Sequence, residues 1–446
     1  MRVLLALHTA VINTDGPAFL TLAQAFMGGD LDAATRKEIH PVYPALVALG
    51  GGSHAAGIFV SIAAGVLAGI PLFLLMRELA GRKAALISVA IYEVHPEFLD
   101  IQSQVYQDPL FMLVALTAAY GAIRFVHSGR GIWAAAIAAA IGWCAKSEGM
   151  IVALLAAVTV GWGLRTHRPW RQVVPAALVA LLIVGGFVAW ISHALGRLTL
   201  SPKSNANQMV GLKQGHDLPE RGTWRERREK HGALVASVWY VGVYGAQTFR
   251  LGWLAAVLAA LAFAGRWTME GRRWFAAWVL FYFFCVWFTN FKSGHSISNR
   301  YLNPPVALSL ALLGPALLAA WEGISSKRLR TALVGAGAIA VIASSLRYTV
   351  VGRGYEQLGW REAGEWIRAR KPGAVVASSN DKTAYYAGVA MVALDAPSKP
   401  DCDFVAAEQD ERGWKDADFA PLVHLATFPA VPEKRSKIVR VYGRAP

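Results

Sequence analysis

Carboxylates and cations stand in the polar stretches of an otherwise apolar chain, and their types set the chemistry open to it. Asp15 lies in "NTDGPAFLTLAQAF", between an apolar stub and a segment with helical periodicity. Aspartate before Gly-Pro is an ordinary helix start, so capping is one reading of it. The helix it would begin carries Phe19, Leu22, Ala23, Phe26 and Met27 on one stripe, suited to the membrane interface. There the carboxylate would sit where a lipid-borne substrate meets a water-borne one. A second acidic group occupies "YEVHPEFLDIQSQVYQDPLF". Glu93 and Glu97 are i, i+4 neighbours if a helix survives Pro96, and Asp100 and Asp108 follow. Asp108-Pro109 also reads as a helix start. Glu93, His95 and Glu97 offer a divalent cation one imidazole and two carboxylates, a sparse ligand set. The cationic and hydrogen-bonding group comprises His40, Lys146 with Glu148 in "KSEG", Lys203, and Lys292, His295, Arg300 and Tyr301 in "KSGHSISNRYLNPP". Such residues suit an anionic ligand, and arginine suits phosphate through its planar fork of donors. Lys203 and Lys292 are equally explained by lipid headgroups. Arg300, set against a run that begins with Pro304-Pro305, is not.

The elements that must position these residues are membrane spans. The 446-residue chain is 55% hydrophobic and only 16% charged, with sixteen Trp and nineteen Phe. Ordinary soluble domains are nearer ~45–50% apolar. Apolar runs cover 54–76, 84–99, 107–126, 132–146, 149–164, 173–195, 240–264, 274–290, 303–320 and 331–349. A further short span precedes Asn13, giving about eleven. Only twelve residues are available for it, so it is short and tilted or the chain starts upstream. "MRVLLALHTAV" has no small-residue cleavage site after it and does not read as a cleaved signal peptide. The net charge of +15 is arranged by turn. Alternate turns, at 77–83, 124–130, 165–171, 266–273 and 322–330, hold fourteen basic residues against Glu78, Glu270 and Glu322. By the positive-inside rule these turns are cytoplasmic. This arrangement accounts for the charge without nucleic acid. Asp15, Asp108, Lys146 and Arg300 then all fall on the opposite side, with loops 13–53 and 196–239.

The sequence therefore predicts a mainly α, polytopic membrane helix bundle over 1–349 and a small extracytoplasmic α/β domain over 350–446. In the latter, "WREAGEWIRARKPG" reads as an amphipathic helix ending at Pro372-Gly373. "AVVASS", "VAMVALD", "CDFVAAEQ" and "SKIVRVYG" alternate with it as strand material, with a helical turn at "DKTAYYAG". Cys144, Cys285 and Cys402 have no pairing or zinc spacing. Gly-x-Ser-x-Gly, HExxH and P-loop patterns do not occur.

The order "TDGPAFLTLAQAFMGGD", "HPVYPALVALGG", "SQVYQDPLFMLVALTAAYG", "CAKSEG" and "NRYLNPPVALSL" resembles the integral-membrane glycosyltransferases of the GT-C class. Within that class it is similar to the bacterial relatives of the protein O-mannosyltransferases and the lipid A aminoarabinose transferases. The tail "WREAGEWIRARKPGAVVASSNDKTAYYAG" resembles the extracytoplasmic end of the bacterial members. The likeness covers nearly the whole chain. It implies a multi-pass protein of the bacterial inner membrane that takes a sugar from a polyprenyl phosphate. The acceptor would be a hydroxyl of a glycan, lipid or protein, on the extracytoplasmic face, with inversion and without a nucleotide sugar. In the family an acid of the first outer loop lies at the catalytic centre, and Asp15 matches it. Many members have Asp-Glu there; this chain has Asp15-Gly16. His40 stands where relatives often carry a basic residue before proline. The family's Arg-x-Glu-Gly is here Lys146-Ser147-Glu148-Gly149.

On that resemblance Asp15 is the base for the acceptor hydroxyl. His40, Lys146, Arg300 and Tyr301 hold the donor phosphate, and Asp108 orients the acceptor or the basic residues. Glu93, Glu97 and Glu148 are secondary candidates. No cofactor is implied beyond a candidate divalent cation. A transporter or flippase of lipid-linked sugars would share the spans and the basic sites. It would more often carry internal repeats, which this sequence lacks, and has no need of an α/β tail. A non-catalytic scaffold would leave the acids unexplained.

Overall fold

The computed structural model describes residues 1–13, 15–31, 39–167, 169–202, 231–232, 234–239, 241, 270–293, 299–326, 328–332, 357–378, 380–389, 391–393, 402–408, 419, 422–429 and 438–444. All but residue 241 of the run expected at 240–264 and all but 331–332 of that at 331–349 lie outside these residues, with Lys203, His295 and the side chain of Lys292. The chain forms two compact units, one of Leu22–Ser345 and one of Met1–Thr21 with Leu346–Pro446.

In the larger unit the helices are α3 (Val42–Leu49), α4 (His54–Leu67), α5 (Gly69–Ala80), α6 (Arg82–Val94), α7 (Pro96–Gln102), α8 (Asp108–Ser128), α9 (Ile132–Ala145), α10 (Gly149–His167), α11 (Trp170–Ala194), α12 (Glu270–Ser293), α13 (Asn303–Ala311) and α14 (Leu313–Gly323). α1 (Arg2–Leu7) and α2 (Gly16–Met27) precede them. Among the described residues, five stretches are long and apolar enough to cross a membrane: His54–Ala80, Asp108–Ser128, Gly149–His167, Trp170–Ala194 and Arg300–Gly323. α9 is apolar but shorter.

α8 is the hub, packing against α4, α5, α9, α10, α12 and α13. Phe111, Met112, Leu116, Ile123 and Phe125 are buried on it. Asp108 opens it with Pro109 at the first turn, where a missing N–H costs nothing. In lipid, helices are drawn together by close packing and by polar pairs rather than by expulsion of water. Small residues at the α9–α10 contact serve the first of these. A Cβ on Gly149 would lie 2.0 Å from the Gly142 carbonyl oxygen, so only glycine permits that approach.

The run expected at 84–99 is not one helix. α6 ends at Val94, His95 is extended at φ −65°, ψ 124°, and α7 restarts at Pro96. Proline drives the residue before it out of the helical region. Glu93 and Glu97 are therefore not i, i+4 neighbours on one helix.

Among the described residues the smaller unit contains α15 (Leu358–Arg370), α16 (Asp381–Ala387) and a five-stranded mixed sheet. The strands are β1 (Val376–Ser378), β2 (Met391–Ala393), β3 (Phe404–Glu408), β4 (Val423–Phe428) and β5 (Val439–Gly443), in spatial order β2-β1-β3-β5-β4. β1 pairs parallel with β2 and β3, while β5 runs antiparallel to β3 and β4. Trp360, Ala363 and Ile367 bury one face of α15 against Val376, Ala406, Val439 and Val441. Asp403 ties the end of that helix to β3. Its carboxylate accepts from Lys371 Nζ (2.5 Å) and from the Val375 N–H (2.8 Å), and these bonds hold it below the usual carboxylate range. A Cβ on Gly364 would fall 2.4 Å from the Thr383 carbonyl oxygen, so glycine lets α15 and α16 lie in contact.

Candidate active site

α9 ends at Ala145, and Lys146 continues it in an extended conformation, φ −161°, ψ 151°. The turn of residues 146–149 closes through Gly149 N–H to the Lys146 carbonyl (2.9 Å) and Met150 N–H to the Ser147 carbonyl (3.2 Å). It leads directly into α10. Since Gly149 sits against Gly142, the side chains of Lys146 and Glu148 are presented at the buried end of the α9–α10 pair.

Lys146 Nζ lies 2.9 Å from Asp108 Oδ1 and 2.6 Å from Glu148 Oε1. All three side chains are almost fully buried, at 4%, 2% and 3% exposure. Arg300, on the 3-10 turn Asn299–Leu302, approaches from the other side, with Nη1 3.6 Å from Asp108 Oδ2. Two cations and two carboxylates thus form one cluster, drawn from α8, the α9–α10 turn and the turn before α13. Isolated charges at membrane depth are costly, and mutual pairing offsets that cost. Aromatic faces line it. Lys146 Nζ is 5.0 Å from the Tyr301 ring centre and 5.5 Å from that of Phe111, and the Arg300 guanidinium is 4.9 Å from that of Tyr106. Arg300 is the accessible member, 26% exposed and beyond hydrogen-bond distance of Asp108. The arrangement can bind an anion on a fixed lysine and an adjustable arginine.

His40 is beside this cluster. Its ring is fully buried, stacked on Phe187, with Nδ1 3.2 Å from the Cys144 carbonyl oxygen. That contact requires Nδ1 to carry a proton and donate. Nε2 faces the hydroxyls of Ser147 (3.2 Å) and Ser201 (3.1 Å). These contacts link His40 to the residues on either side of Lys146. Trp143 Nε1 donates to the Leu200 carbonyl (3.0 Å).

Glu93 lies against Gly69 of α5, and Glu97 is in the first turn of α7, both partly buried. They stand at the α6–α7 break. Among the described residues no group of three His, Cys, Asp or Glu has the geometry to hold a metal. Asp15 belongs to the smaller unit, immediately before α2. There its carbonyl accepts from Phe19 N–H (3.1 Å), and Asn13 Oδ1 takes the Gly16 N–H (2.5 Å).

Two buried residues had no signal in the sequence. Tyr282 sits within an aromatic run of α12, inside the electrostatic reach of Glu148, Asp108 and Tyr301. Asn303 follows the Arg300 turn. Neither the Tyr282 hydroxyl nor the Asn303 amide has a hydrogen-bond partner among the described residues. A large apolar cavity of about 700 Å³ lies between α9, α10, α11 and α12, with Ala140, Trp143, Ile151, Ala180 and Phe288 in its wall.

Over 98% of its length this chain superposes on 95% of ArnT from Cupriavidus metallidurans, solved bound to undecaprenyl phosphate, with TM-score 0.66 at 13% identity. The chain therefore has the fold of that ArnT structure. The apo ArnT structure matches equally. An oligosaccharyltransferase from Archaeoglobus fulgidus, in complex with zinc and sulfate, matches over 86% of this chain and 62% of its own, with TM-score 0.53 at 14% identity. Residues 42–193 match the family model described as dolichyl-phosphate-mannose-protein mannosyltransferase. No curated protein sequence gives a significant match. The protein is an integral, multi-pass membrane protein with a mixed sheet at its C-terminal end.

Proposed function

We propose that this chain transfers a sugar from a polyprenyl phosphate to an acceptor hydroxyl, with inversion, on the extracytoplasmic face of the membrane. The observation that carries the proposal is the cluster of buried Lys146, Asp108 and Glu148 with the more accessible Arg300, inside a fold shared with ArnT. Charge balance explains its design. The donor's phosphodiester carries one negative charge and the departing polyprenyl phosphate about two. The cluster is neutral with Lys146 and Arg300 both paired. Lys146, fixed between two carboxylates, supplies a permanent positive centre. Arg300 can turn its fork from Asp108 to the phosphate oxygens as charge develops there. Asp108 sets the position of both cations, and Tyr301 covers Lys146.

The acceptor oxygen attacks the anomeric carbon, the bond from that carbon to the phosphate oxygen breaks, and the bonding electrons leave with polyprenyl phosphate. The hydroxyl proton passes to Asp15. A single displacement of this kind inverts the anomeric centre. The apolar cavity between α9 and α12 offers the isoprenoid chain a wall of alanines, and the related ArnT binds undecaprenyl phosphate. The extracytoplasmic assignment rests on the basic residues of the alternate turns.

The test is transfer by the purified protein in proteoliposomes. Undecaprenyl phosphates bearing mannose or aminoarabinose are supplied, and release of undecaprenyl phosphate with glycosylated product is measured. Movement of intact donor across the bilayer without cleavage would instead establish a flippase.

A further inference from the structure

We propose that the C-terminal α/β unit is the positioning device for the Asp15 loop, acting through Arg361 and Tyr386. The inference deepens the proposed function and rests on its reading of Asp15 as the base. The backbone just before Asp15 is irregular from Ala10 to Asn13, so its amides and carbonyls need partners from elsewhere. Two come from the far end of the sequence. The Arg361 guanidinium donates from Nη1 to the Ala10 carbonyl (2.9 Å), and the Ile12 N–H donates to the Tyr386 hydroxyl (2.9 Å). These bonds join residues 351 and 374 positions apart, and they grip the chain five and three residues before Asp15. Both distances are those of well-formed bonds.

The tether is built from two helices. Arg361 is on α15 and Tyr386 on α16, and Gly364, one turn after Arg361, brings the two helices into contact. The guanidinium lies 5.7 Å from the Tyr386 ring centre, and its Nε is held by Glu365 (2.8 Å). Burial raises the Tyr386 phenol above its usual value, so it remains a neutral acceptor for the Ile12 amide. On the other side of Asp15, the Gly16 N–H donates back to Asn13 Oδ1 and α2 begins. The backbone is therefore held by hydrogen bonds on both sides of Asp15, at Ala10 and Ile12 and at Gly16. A displacement of about 1 Å in a catalytic group costs ~10²-fold in rate, which gives such a clamp its value.

The experiment compares Tyr386→Phe, Arg361→Ala, Arg361→Lys and the Tyr386→Phe/Arg361→Ala double variant with wild type and with Asp15→Asn. Single-turnover transfer from mannosyl or aminoarabinosyl undecaprenyl phosphate yields a rate constant and an amplitude. Hydrogen exchange over residues 8–20 reads the tether without substrate. The rate constant should fall about tenfold in each single deletion and ~10²-fold in the double. Amplitude and donor KM should stay at wild-type values, and exchange over 8–20 should rise. Arg361→Lys should recover part of the rate, since it keeps a donor for the Ala10 carbonyl. Tyr386→Phe removes a single oxygen, so it remains informative if Arg361→Ala does not fold. Wild-type rate constants in the tether variants beside an inactive Asp15→Asn would overturn the tether alone, and so would a lost amplitude at an unchanged rate. Full activity in Asp15→Asn would overturn the base reading itself.

Discussion

Aspartate and asparagine cap helices about equally well, but only aspartate accepts a proton at neutral pH. Asp15→Asn should therefore melt at the wild-type temperature, bind donor, and transfer sugar ~10²–10⁴-fold more slowly. Thermal melts with single-turnover assays check this, and near-normal transfer would reduce Asp15 to a cap. Arg300 is argued the same way from its fork and its 3.6 Å separation from Asp108. Arg300→Lys should weaken donor binding and Arg300→Ala should weaken it further, with titration of undecaprenyl phosphate as the measurement. An Ala variant with wild-type affinity would make Arg300 an interface anchor. Tyr282 separates function from stability. Its hydroxyl is buried without a partner among the described residues, and such a group is a cost to the fold. Tyr282→Phe should hold or raise the melting temperature while slowing transfer. A lower melting temperature would show that the hydroxyl is bonded within the protein.

At the scale of the elements, the α9–α10 turn has little freedom to vary. Gly149 meets the Gly142 carbonyl so closely that a methyl group must push the two helices apart. Gly149→Ala should lower stability by ~1–3 kcal/mol, the usual range for overpacking. It should also lower donor affinity, because Lys146 and Glu148 ride on the turn that moves. Thermal melts and undecaprenyl phosphate titration report the two effects, and a variant that loses neither would show that the helices yield at no cost. The His40 contacts belong to this scale too. The buried ring contacts the Cys144 carbonyl and the Ser147 hydroxyl, the neighbours of Lys146 on two sides.

For the whole molecule, the alternation of basic turns predicts which surfaces face the cytoplasm. Reporter fusions at residues 170 and 400 should give opposite signals, the first cytoplasmic and the second outside. Signals from the same side would overturn the topology and, with it, the extracytoplasmic site. The grouping of Met1–Thr21 with Leu346–Pro446 gives the α/β unit a share of the N-terminal segment, so deletion of that unit removes the partners of Ala10 and Ile12.

Local pattern carried the parts of this protein that depend on neighbours in the chain. Apolar runs at 54–76, 107–126, 149–164, 173–195 and 303–320, the helix start at Asp108-Pro109, the amphipathic α15 and the strands at 376–378, 391–393, 404–408 and 439–443 follow from periodicity and turn chemistry, which short-range sterics enforce. β4 was not legible. It is an edge strand, mostly exposed or half-buried, and "VHLATF" has little alternation to reveal it. The break at His95-Pro96 was ambiguous because proline is tolerated in some membrane helices and ends others. What only tertiary structure decided is convergence. Lys146 meets Asp108 from 38 residues away, Arg300 closes on Asp108 from a third segment, His40 turns inward to brace a distant loop, and Arg361 and Tyr386 reach the segment before Asp15. No local period encodes these pairings, because each exists only once packing has brought separate helices together and the cost of burying a polar group makes each one find its partner.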